Sequence, residues 1–177
     1  MYNYFLENFD SLSKNIQSNC SITLDKSILG FKVTLSSTSA TARLSNLGFN
    51  GASGSFIVIA DVSGSTNGMR TQMDLTDQGN VGFNISTIPI RCQIVVNVSN
   101  HNTPSSYNGF FDNYITGGAS GNVLTFKNVK IFKASDVTET YDINKQGIIT
   151  ADDFTENEIG CSISKYGGIY ATEFIEW

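Results

Sequence analysis

"VLTFKNVKIF", residues 123–132, is the clearest strand-like stretch of the sequence. Successive side chains of a β-strand point to opposite faces, so the odd-numbered residues from Val123 to Ile131 are expected on one face and the even-numbered residues from Leu124 to Phe132 on the other. No stretch between residues 20 and 133 keeps apolar residues at the helical period over three turns. The pattern therefore predicts a body built from strands.

Seven further runs have the same character and are separated by clusters of Gly, Asn, Ser and Thr. They are "SITL", "FKVTL", "TARL", "SFIVIADV", "MRTQMDL", "VGFNI" and "CQIVVNV". About eight short strands at regular spacing are typical of a β-sandwich or jelly roll. We predict an all-β, jelly-roll-like sandwich over residues 1–135, with one candidate helix in the opening "FLENFDSLSKNI".

Composition excludes several classes of protein. With 40% hydrophobic residues the chain can build a core, and a net charge of −5 disfavours nucleic-acid binding, which requires a basic surface. The N-terminus lacks the basic region of a signal peptide, and no apolar run is long enough to cross a bilayer. Three cysteines without C-x-x-C spacing do not indicate a disulfide framework. We expect neither nucleic-acid binding nor membrane insertion.

Residues for enzyme chemistry are sparse. His101 is the only histidine, and neither a G-x-S-x-G elbow nor a metal-spaced His/Cys cluster occurs. A pair of carboxylates for glycoside hydrolysis stays open as an alternative, since such partners are distant in sequence. Asp61, Asp74, Asp77 and Asp112 have the pattern of ordinary surface or turn acids. We predict a protein that is not an enzyme and has no cofactor.

Two stretches imitate metal motifs. "DINKQGIITADDF", residues 142–154, has acid or amide residues at the first, third and fifth places of a calcium loop, but a copy twenty residues later replaces them with Ser, Ser and Tyr. Asp61-x-Ser63-x-Ser65 matches the metal-adhesion motif of von Willebrand A domains, but no helical pattern follows it. We therefore predict no metal site, with a dockerin-like calcium connector as the alternative for the first stretch. We interpret the second stretch as a strand that enters a polar hairpin turn.

The copy just mentioned is part of an internal repeat. Residues 142–156 align without a gap on residues 162–176, with seven identities in fifteen positions. Two units of this length cannot bury their apolar side chains alone. The repeat therefore predicts that residues 141–177 form a strand–turn–strand tail, which pairs with the same tail of other chains. The predicted interface residues are Ile143, Ile149, Phe154, Ile163, Ile169 and Phe174.

Sugar binding needs exposed aromatic rings beside amide, acid and guanidinium groups, because a pyranose has apolar C–H faces and a rim of hydroxyls. Two groups of side chains have this chemistry. The first is a loop segment with Tyr107, Phe110, Phe111, Asp112 and Tyr114, and the second is the polar row Arg70, Gln72 and Asp74. As the alternative, the aromatic residues plug one end of the sandwich and the polar row is a solvated face.

Two resemblances extend this interpretation. The body, with "SGSFIVIADVSG" and "VLTFKNVKIFKA", resembles jelly-roll carbohydrate-binding modules over roughly residues 1–135. The tail, with its two "G-x-I-x-A-x-x-F" units in residues 141–177, resembles repeats of tailed-phage fibre and baseplate proteins. Together they imply a homotrimeric virion protein of a tail fibre, baseplate or capsid decoration that contacts other virion proteins and a host surface glycan. The alternative is a carbohydrate-binding module or adhesin of a microbial surface or secreted protein.

Overall fold

Strands dominate the computed structural model, which describes residues 2–76, 78–98, 108–138, 161–163 and 169–171. Those of the body are β1 (Ser13–Ser18), β2 (Cys20–Asp25), β3 (Gly30–Leu35), β4 (Ser39–Ser45), β5 (Gly54–Gly64), β6 (Met69–Leu75), β7 (Gln78–Ile85), β8 (Ile90–Val98), β9 (Phe110–Thr116) and β10 (Val123–Lys133). Within these described ranges, helical structure is limited to α1 (Tyr4–Glu7), α2 (Ser135–Thr138) and the 3-10 turns Phe9–Ser11 and Lys26–Ile28.

The ten strands of the body form two antiparallel sheets. The front sheet has the order β1-β4-β9-β6-β7, and the back sheet has the order β2-β3-β10-β5-β8. Each of the eight predicted runs lies within a strand, from β2 to β8 and in β10. The predicted jelly-roll-like β-sandwich is confirmed.

The core lies between the inner faces of the two sheets. Phe31 of the back sheet meets Phe111 of the front sheet edge to face, with ring centroids 6.1 Å apart, and stacks on Phe126 at 4.5 Å. All three rings are fully buried. Aromatic side chains bury large apolar areas, and the contact between Phe31 and Phe111 joins the two sheets within this core.

The continuous alternation predicted for residues 123–132 is wrong in its second half. The pairing of β10 with β5 shifts register between Lys127 and Lys130, and Asn128 takes a left-handed φ of 51°. Asparagine tolerates this conformation better than most residues. The extra residue of this β-bulge reverses the faces, so that Leu124 and Phe126 before it and Val129 and Ile131 after it all face the core.

The N-terminal helix is shorter than predicted. Only Tyr4–Glu7 is α-helical, and the second half of "FLENFDSLSKNI" contains a 3-10 turn and the start of β1. Asn3 caps α1 by accepting a hydrogen bond from the backbone N–H of Phe5 at 3.2 Å. The same oxygen accepts from the N–H of Ile131 at 3.1 Å, which ties the helix to β10 just beyond the bulge.

Two strands, β1 and β9, were not predicted. The segment "SKNIQS" of β1 has one apolar residue and forms an edge of the front sheet. The segment "FFDNYIT" was predicted to lie in a loop, and that prediction is wrong, because it forms β9 at the centre of the front sheet. Fully buried Asn113 occupies one of its inward positions and breaks the apolar alternation that marks a strand in sequence.

Gly30, the first residue of β3, lies against the backbone of β10. A Cβ atom added there would lie 1.9 Å from the carbonyl oxygen of Phe126, which is backbone and cannot rotate away. We expect Gly30→Ala to lower the free energy of unfolding by about 1–3 kcal/mol, as overpacking does in a filled interior. Urea denaturation followed by circular dichroism measures the change.

Gly82→Ala is the matched control for Gly30→Ala. Its Cβ would meet only the mobile end of the Arg70 side chain, at 2.3 Å from Nη2. The arginine can swing aside, so we expect little loss of stability. Equal losses for the two variants would contradict the close approach of backbone at Gly30.

The chain divides into two compact units, Met1–Ala134 and Ser135–Trp177. In the second unit, β11 (Cys161–Ile163) and β12 (Ile169–Ala171) pair antiparallel, with Ile163 directly opposite Ile169. The second copy of the repeat thus contains the strand pair that the strand–turn–strand interpretation predicts. Four predicted interface residues lie outside the described residues, namely Ile143, Ile149, Phe154 and Phe174. The homotrimer stays a prediction.

Candidate glycan-binding face

One side of the front sheet carries an ordered array of polar side chains around a single exposed ring. On β4, β9 and β6, every second residue points into the core and the residues between them point outward. We call the outward residues that are not buried the front face; Phe110 and Ser45 stand at outward positions as well but are buried. Its members are Ser39, Thr41, Arg43, Asp112, Tyr114, Thr116, Arg70, Gln72 and Asp74.

The register of the three strands arranges the front face in rows. Thr41, Tyr114 and Gln72 are directly opposite one another in the central row. The row on one side of it is Arg43, Asp112 and Asp74, and the row on the other side is Ser39, Thr116 and Arg70. Side chains that are opposite in this way have Cβ atoms about 5 Å apart, so the array presents closely spaced polar groups.

Tyr114 occupies the centre of the array. Its strand, β9, is the middle strand of the front sheet, and its side chain is 46% exposed. A single exposed hydrophobic side chain does not by itself indicate a binding site. Here the ring stands between Thr41 and Gln72, which are directly opposite it on the two neighbouring strands. The ring offers an apolar surface with hydrogen-bonding groups on both sides.

Arg43 and Asp112 form a rigid ion pair beside this ring. Nε of Arg43 donates to Oδ1 of Asp112 at 2.7 Å, and Nη2 donates to Oδ2 at 2.5 Å. The guanidinium also stacks on the Phe110 ring, with its carbon 3.8 Å from the ring centroid. Only 19% of the arginine side chain and 15% of the aspartate side chain are exposed. Two parallel hydrogen bonds and a stacking contact fix both groups before any ligand arrives.

Arg70 stands in the row on the other side of Tyr114, opposite Thr116. It is exposed, and its cross-strand neighbours are Thr116 on β9 and Asn84 on β7. Its guanidinium lies over Gly82, because a Cβ atom at that glycine would be 2.3 Å from Nη2 and 2.7 Å from Nε. Gly82 is paired with Gln72, so the guanidinium reaches into the row that contains Tyr114.

The structure brings together five of the eight residues predicted for sugar binding: Arg70, Gln72, Asp74, Asp112 and Tyr114. Sequence reasoning had assigned them to two separate places, a strand and a loop. Four residues of the front face were missed, Thr41, Arg43, Thr116 and Ser39. The alternation in "TARL" is the signal that could have found the first two, since Thr41 and Arg43 alternate there with buried Ala42 and Leu44.

The other predicted aromatic residues do not present exposed rings. Phe111 is fully buried against Phe31, and Phe110 is 3% exposed beneath Arg43. The expectation of an exposed aromatic face is therefore wrong for both, because an inward position on β9 and a covering guanidinium remove their rings from solvent. Tyr107 lies outside the described residues.

Asp61 is engaged by protein donors. It accepts hydrogen bonds from Arg91 Nε at 2.9 Å and from Asn128 Nδ2 at 2.9 Å. The hydrogen bonds from Arg91 are the main reason why the pKa of Asp61 lies below its ordinary value. No helix follows β5 in residues 65–68, and the turn carries the chain from the back sheet to the front sheet, so the predicted hairpin turn within one sheet is wrong.

Within the described part of the chain, no three His, Cys, Asp or Glu side chains come together as metal ligands could. None of the helices described there has both the length and the apolar composition needed to span a membrane. The thiols of Cys20 and Cys92 are free, and burial raises the pKa of the Cys92 thiol to about 12.

Comparisons with known proteins find likeness in structure but not in sequence. No protein-family model and no curated protein sequence matches the chain. Among solved structures, the C-terminal CBM6 of LamC, a marine laminarinase from Zobellia galactanivorans, aligns at 16% identity with a TM-score of 0.46, over 68% of this chain and 94% of that one. TmCBM61 in complex with β-1,4-galactotriose aligns at 14% identity with a TM-score of 0.45, over 75% and 99% of the two chains. The family 29 carbohydrate-binding module CBM29_1 from Piromyces equi aligns at 13% identity with a TM-score of 0.43, over 71% and 83%.

Proposed function

We propose that the β-sandwich is a carbohydrate-binding module whose binding site is the front face. The observation that carries this proposal is the exposed Tyr114 ring at the centre of the polar rows. An aromatic ring packs against the C–H face of a pyranose, and the groups around it can bond the hydroxyl rim. Both requirements meet on this one sheet face.

The polar groups suit hydroxyl recognition because their positions are largely fixed. Thr41, Gln72 and Thr116 stand on three neighbouring strands, whose backbone does not have to rearrange on binding. The ion pair between Arg43 and Asp112 is already formed. Preorganised groups lose less conformational entropy when a ligand binds, which supports useful affinity from a shallow site. An open sheet face also leaves room for a sugar chain to continue past Tyr114 in both directions.

The same geometry supports binding without hydrolysis. Asp74 and Asp112 are directly opposite each other, which is the kind of carboxylate pair a glycoside hydrolase needs. However, both oxygens of Asp112 accept hydrogen bonds from Arg43. Both oxygens of Asp112 are therefore engaged by the guanidinium, so this carboxylate is not presented to a glycosidic oxygen. We therefore propose that the protein is not an enzyme.

A glycan microarray probed with the labelled full chain tests the proposal. We expect binding to at least one class of polysaccharide or oligosaccharide, and no release of reducing ends when that glycan is incubated with the protein. The absence of binding to every glycan on a broad array would overturn the proposal. Release of reducing ends would overturn the non-enzymatic part of it.

The role in a phage tail fibre, baseplate or capsid decoration stays a prediction that rests on the internal repeat, and so do the virion location and the virion partners. The alternative is a module or adhesin that acts outside the cell or on its surface. The proposed front face serves either, because an adhesin and a fibre can both grip a surface glycan. Chain association distinguishes the two more directly than binding does.

Oligomeric state tests the repeat-based prediction. We expect light scattering of the full chain at micromolar concentration to give three times the mass of one chain. Ile149→Asp is expected to shift the mass toward that of the monomer, since a charge at a predicted buried contact is costly to desolvate. A monomeric wild-type protein would contradict the prediction.

A further inference from the structure

Arg70 differs from the other two arginines of the chain. Arg43 forms a two-bond ion pair with Asp112, and Arg91 forms one with Asp61 at 2.9 Å and 3.3 Å. Arg70 makes no hydrogen bond or ion pair with any described residue. A guanidinium presents five donors in a planar fork that matches a carboxylate. On the front face, this fork is therefore available to a ligand.

The fork lies in the same row as the position that a stacked sugar would occupy, two strands away from it. Because the guanidinium lies over Gly82, it is in the row of Thr41, Tyr114 and Gln72 rather than in its own row. Tyr114 and Gly82 are separated by two strand spacings, about 10 Å. A sugar on Tyr114, or the next sugar of the chain, can thus place a substituent beside Arg70.

The charges of the front face are ordered along β6. Arg70 is at one end, Gln72 is in the middle opposite Tyr114, and Asp74 is at the other end opposite Asp112. Successive outward residues of a strand are about 7 Å apart, and the Arg70 guanidinium lies over Gly82 in the central row, so the cation is about one row away from Asp74. An anionic group is attracted to the β7 side of the central row, where the guanidinium lies, and is repelled at Asp74.

The acidity of the chain does not oppose such a ligand. Residues 1–134 contain nine Lys and Arg against seven Asp and Glu, whereas residues 135–177 contain two against nine. The net charge of −5 thus comes from the second unit, and the sandwich itself is mildly basic. We infer that the glycan of the front face is acidic, with the carboxylate of a uronic acid paired to Arg70 while a pyranose ring packs on Tyr114. This inference rests on the proposed function.

Calorimetry of the full chain with polygalacturonate and with the same polymer after chemical reduction of its carboxyl groups tests the inference. At low salt we expect the acidic polymer to bind about tenfold more tightly, as a charge-assisted pair of hydrogen bonds allows, and added salt to reduce the difference. Arg70→Gln is expected to remove this preference. Gly82→Ala, which displaces the guanidinium but keeps the charge, is expected to weaken it.

Lys130→Gln is the matched control, because Lys130 is an exposed cation on β10 of the back sheet. This variant should retain the full preference for polygalacturonate over the reduced polymer. An equal loss of preference in Lys130→Gln and Arg70→Gln would overturn the inference, because it would show that the acidic polymer is attracted by the overall charge of the sandwich and not by Arg70. Equal binding of the two polymers would also overturn it while the proposed function stood. Binding of neither polymer nor any arrayed glycan would overturn both. A second comparison, of dextran sulfate with dextran, separates sulfate recognition from carboxylate recognition. If the Arg70-dependent preference for dextran sulfate over dextran were larger than that for polygalacturonate over its reduced form, the uronic acid assignment would be overturned.

Discussion

Replacing Phe31 with alanine is expected to lower the free energy of unfolding by about 3–5 kcal/mol. Phe31 is fully buried and touches both sheets, with Phe126 stacked on it at 4.5 Å and Phe111 edge-on at 6.1 Å. Its ring also lies 6.2 Å from that of Phe5, which belongs to the N-terminal helix. Three elements lose packing at once, and the cavity cannot collapse without moving a sheet.

Urea denaturation monitored by far-ultraviolet circular dichroism measures this effect. Val95→Ala is the control, because Val95 is apolar but 61% exposed on β8, and its truncation should cost little. A loss below 1 kcal/mol for Phe31→Ala would show that the two sheets are not joined through this ring. Stability of a domain is commonly 5–15 kcal/mol, so the expected loss is a large part of the total.

Replacing Tyr114 with alanine is expected to weaken glycan binding about thirtyfold, or roughly 2 kcal/mol, without unfolding the protein. The ring is the only large apolar group that points outward from the described part of β4, β9 and β6 and remains exposed. Its removal deletes the stacking surface and leaves Thr41 and Gln72 with a gap between them. Because the side chain is 46% exposed, the packing of the core does not depend on it.

Two variants control for Tyr114→Ala in the same titration. Tyr2 is also 46% exposed but packs edge-on against Tyr4 near the N-terminus, so Tyr2→Ala should bind as the wild type does. Tyr114→Phe keeps the ring and should retain most of the affinity. Full affinity in Tyr114→Ala, measured by calorimetry with a glycan identified on the array, would contradict the placement of the site.

The strands that sequence identified are those whose inward and outward residues differ clearly in polarity, although the inner row of β6 includes buried Thr71. The two that it missed fail this condition for different physical reasons. In β1, an edge strand contributes little to the core and needs few apolar residues. In β9, apolar Phe110 points outward beneath Arg43, and polar Asn113 points inward. The polarity of a residue in this strand therefore does not indicate which face its side chain is on. Tertiary packing overrides the local pattern at both positions.

The bulge in β10 illustrates a further limit. The alternation of residues 123–132 was predicted correctly up to Phe126 and was reversed afterwards. Lys127 and Asn128 are both exposed. Two adjacent polar residues in a sequence look the same whether both point outward, as they do at this bulge, or one points outward and the next inward. Only the pairing with β5 and the contact of Val129 N–H with the Leu29 carbonyl at 2.9 Å define the extra residue.

The candidate site was predictable in its chemistry but not in its geometry. The polar row of β6 and the Tyr114 segment were both identified, yet their adjacency depends on β9 lying between β4 and β6. These pairings join residues that are far apart in sequence, so no local sequence signal marks them. For the same reason Arg43, which is 69 residues before Asp112, was not recognised as its partner.

Nuclear magnetic resonance of the full chain tests the central claim most directly, because it maps binding residue by residue. A 15N-labelled sample would be titrated with a glycan that binds on the array, and shifts of the backbone amide signals would be recorded. We predict that the largest shifts fall in residues 41–43, 70–74 and 112–116, with the outer face of the back sheet unaffected. Shifts concentrated on the back sheet, or outside the sandwich altogether, would contradict a glycan site on the front face.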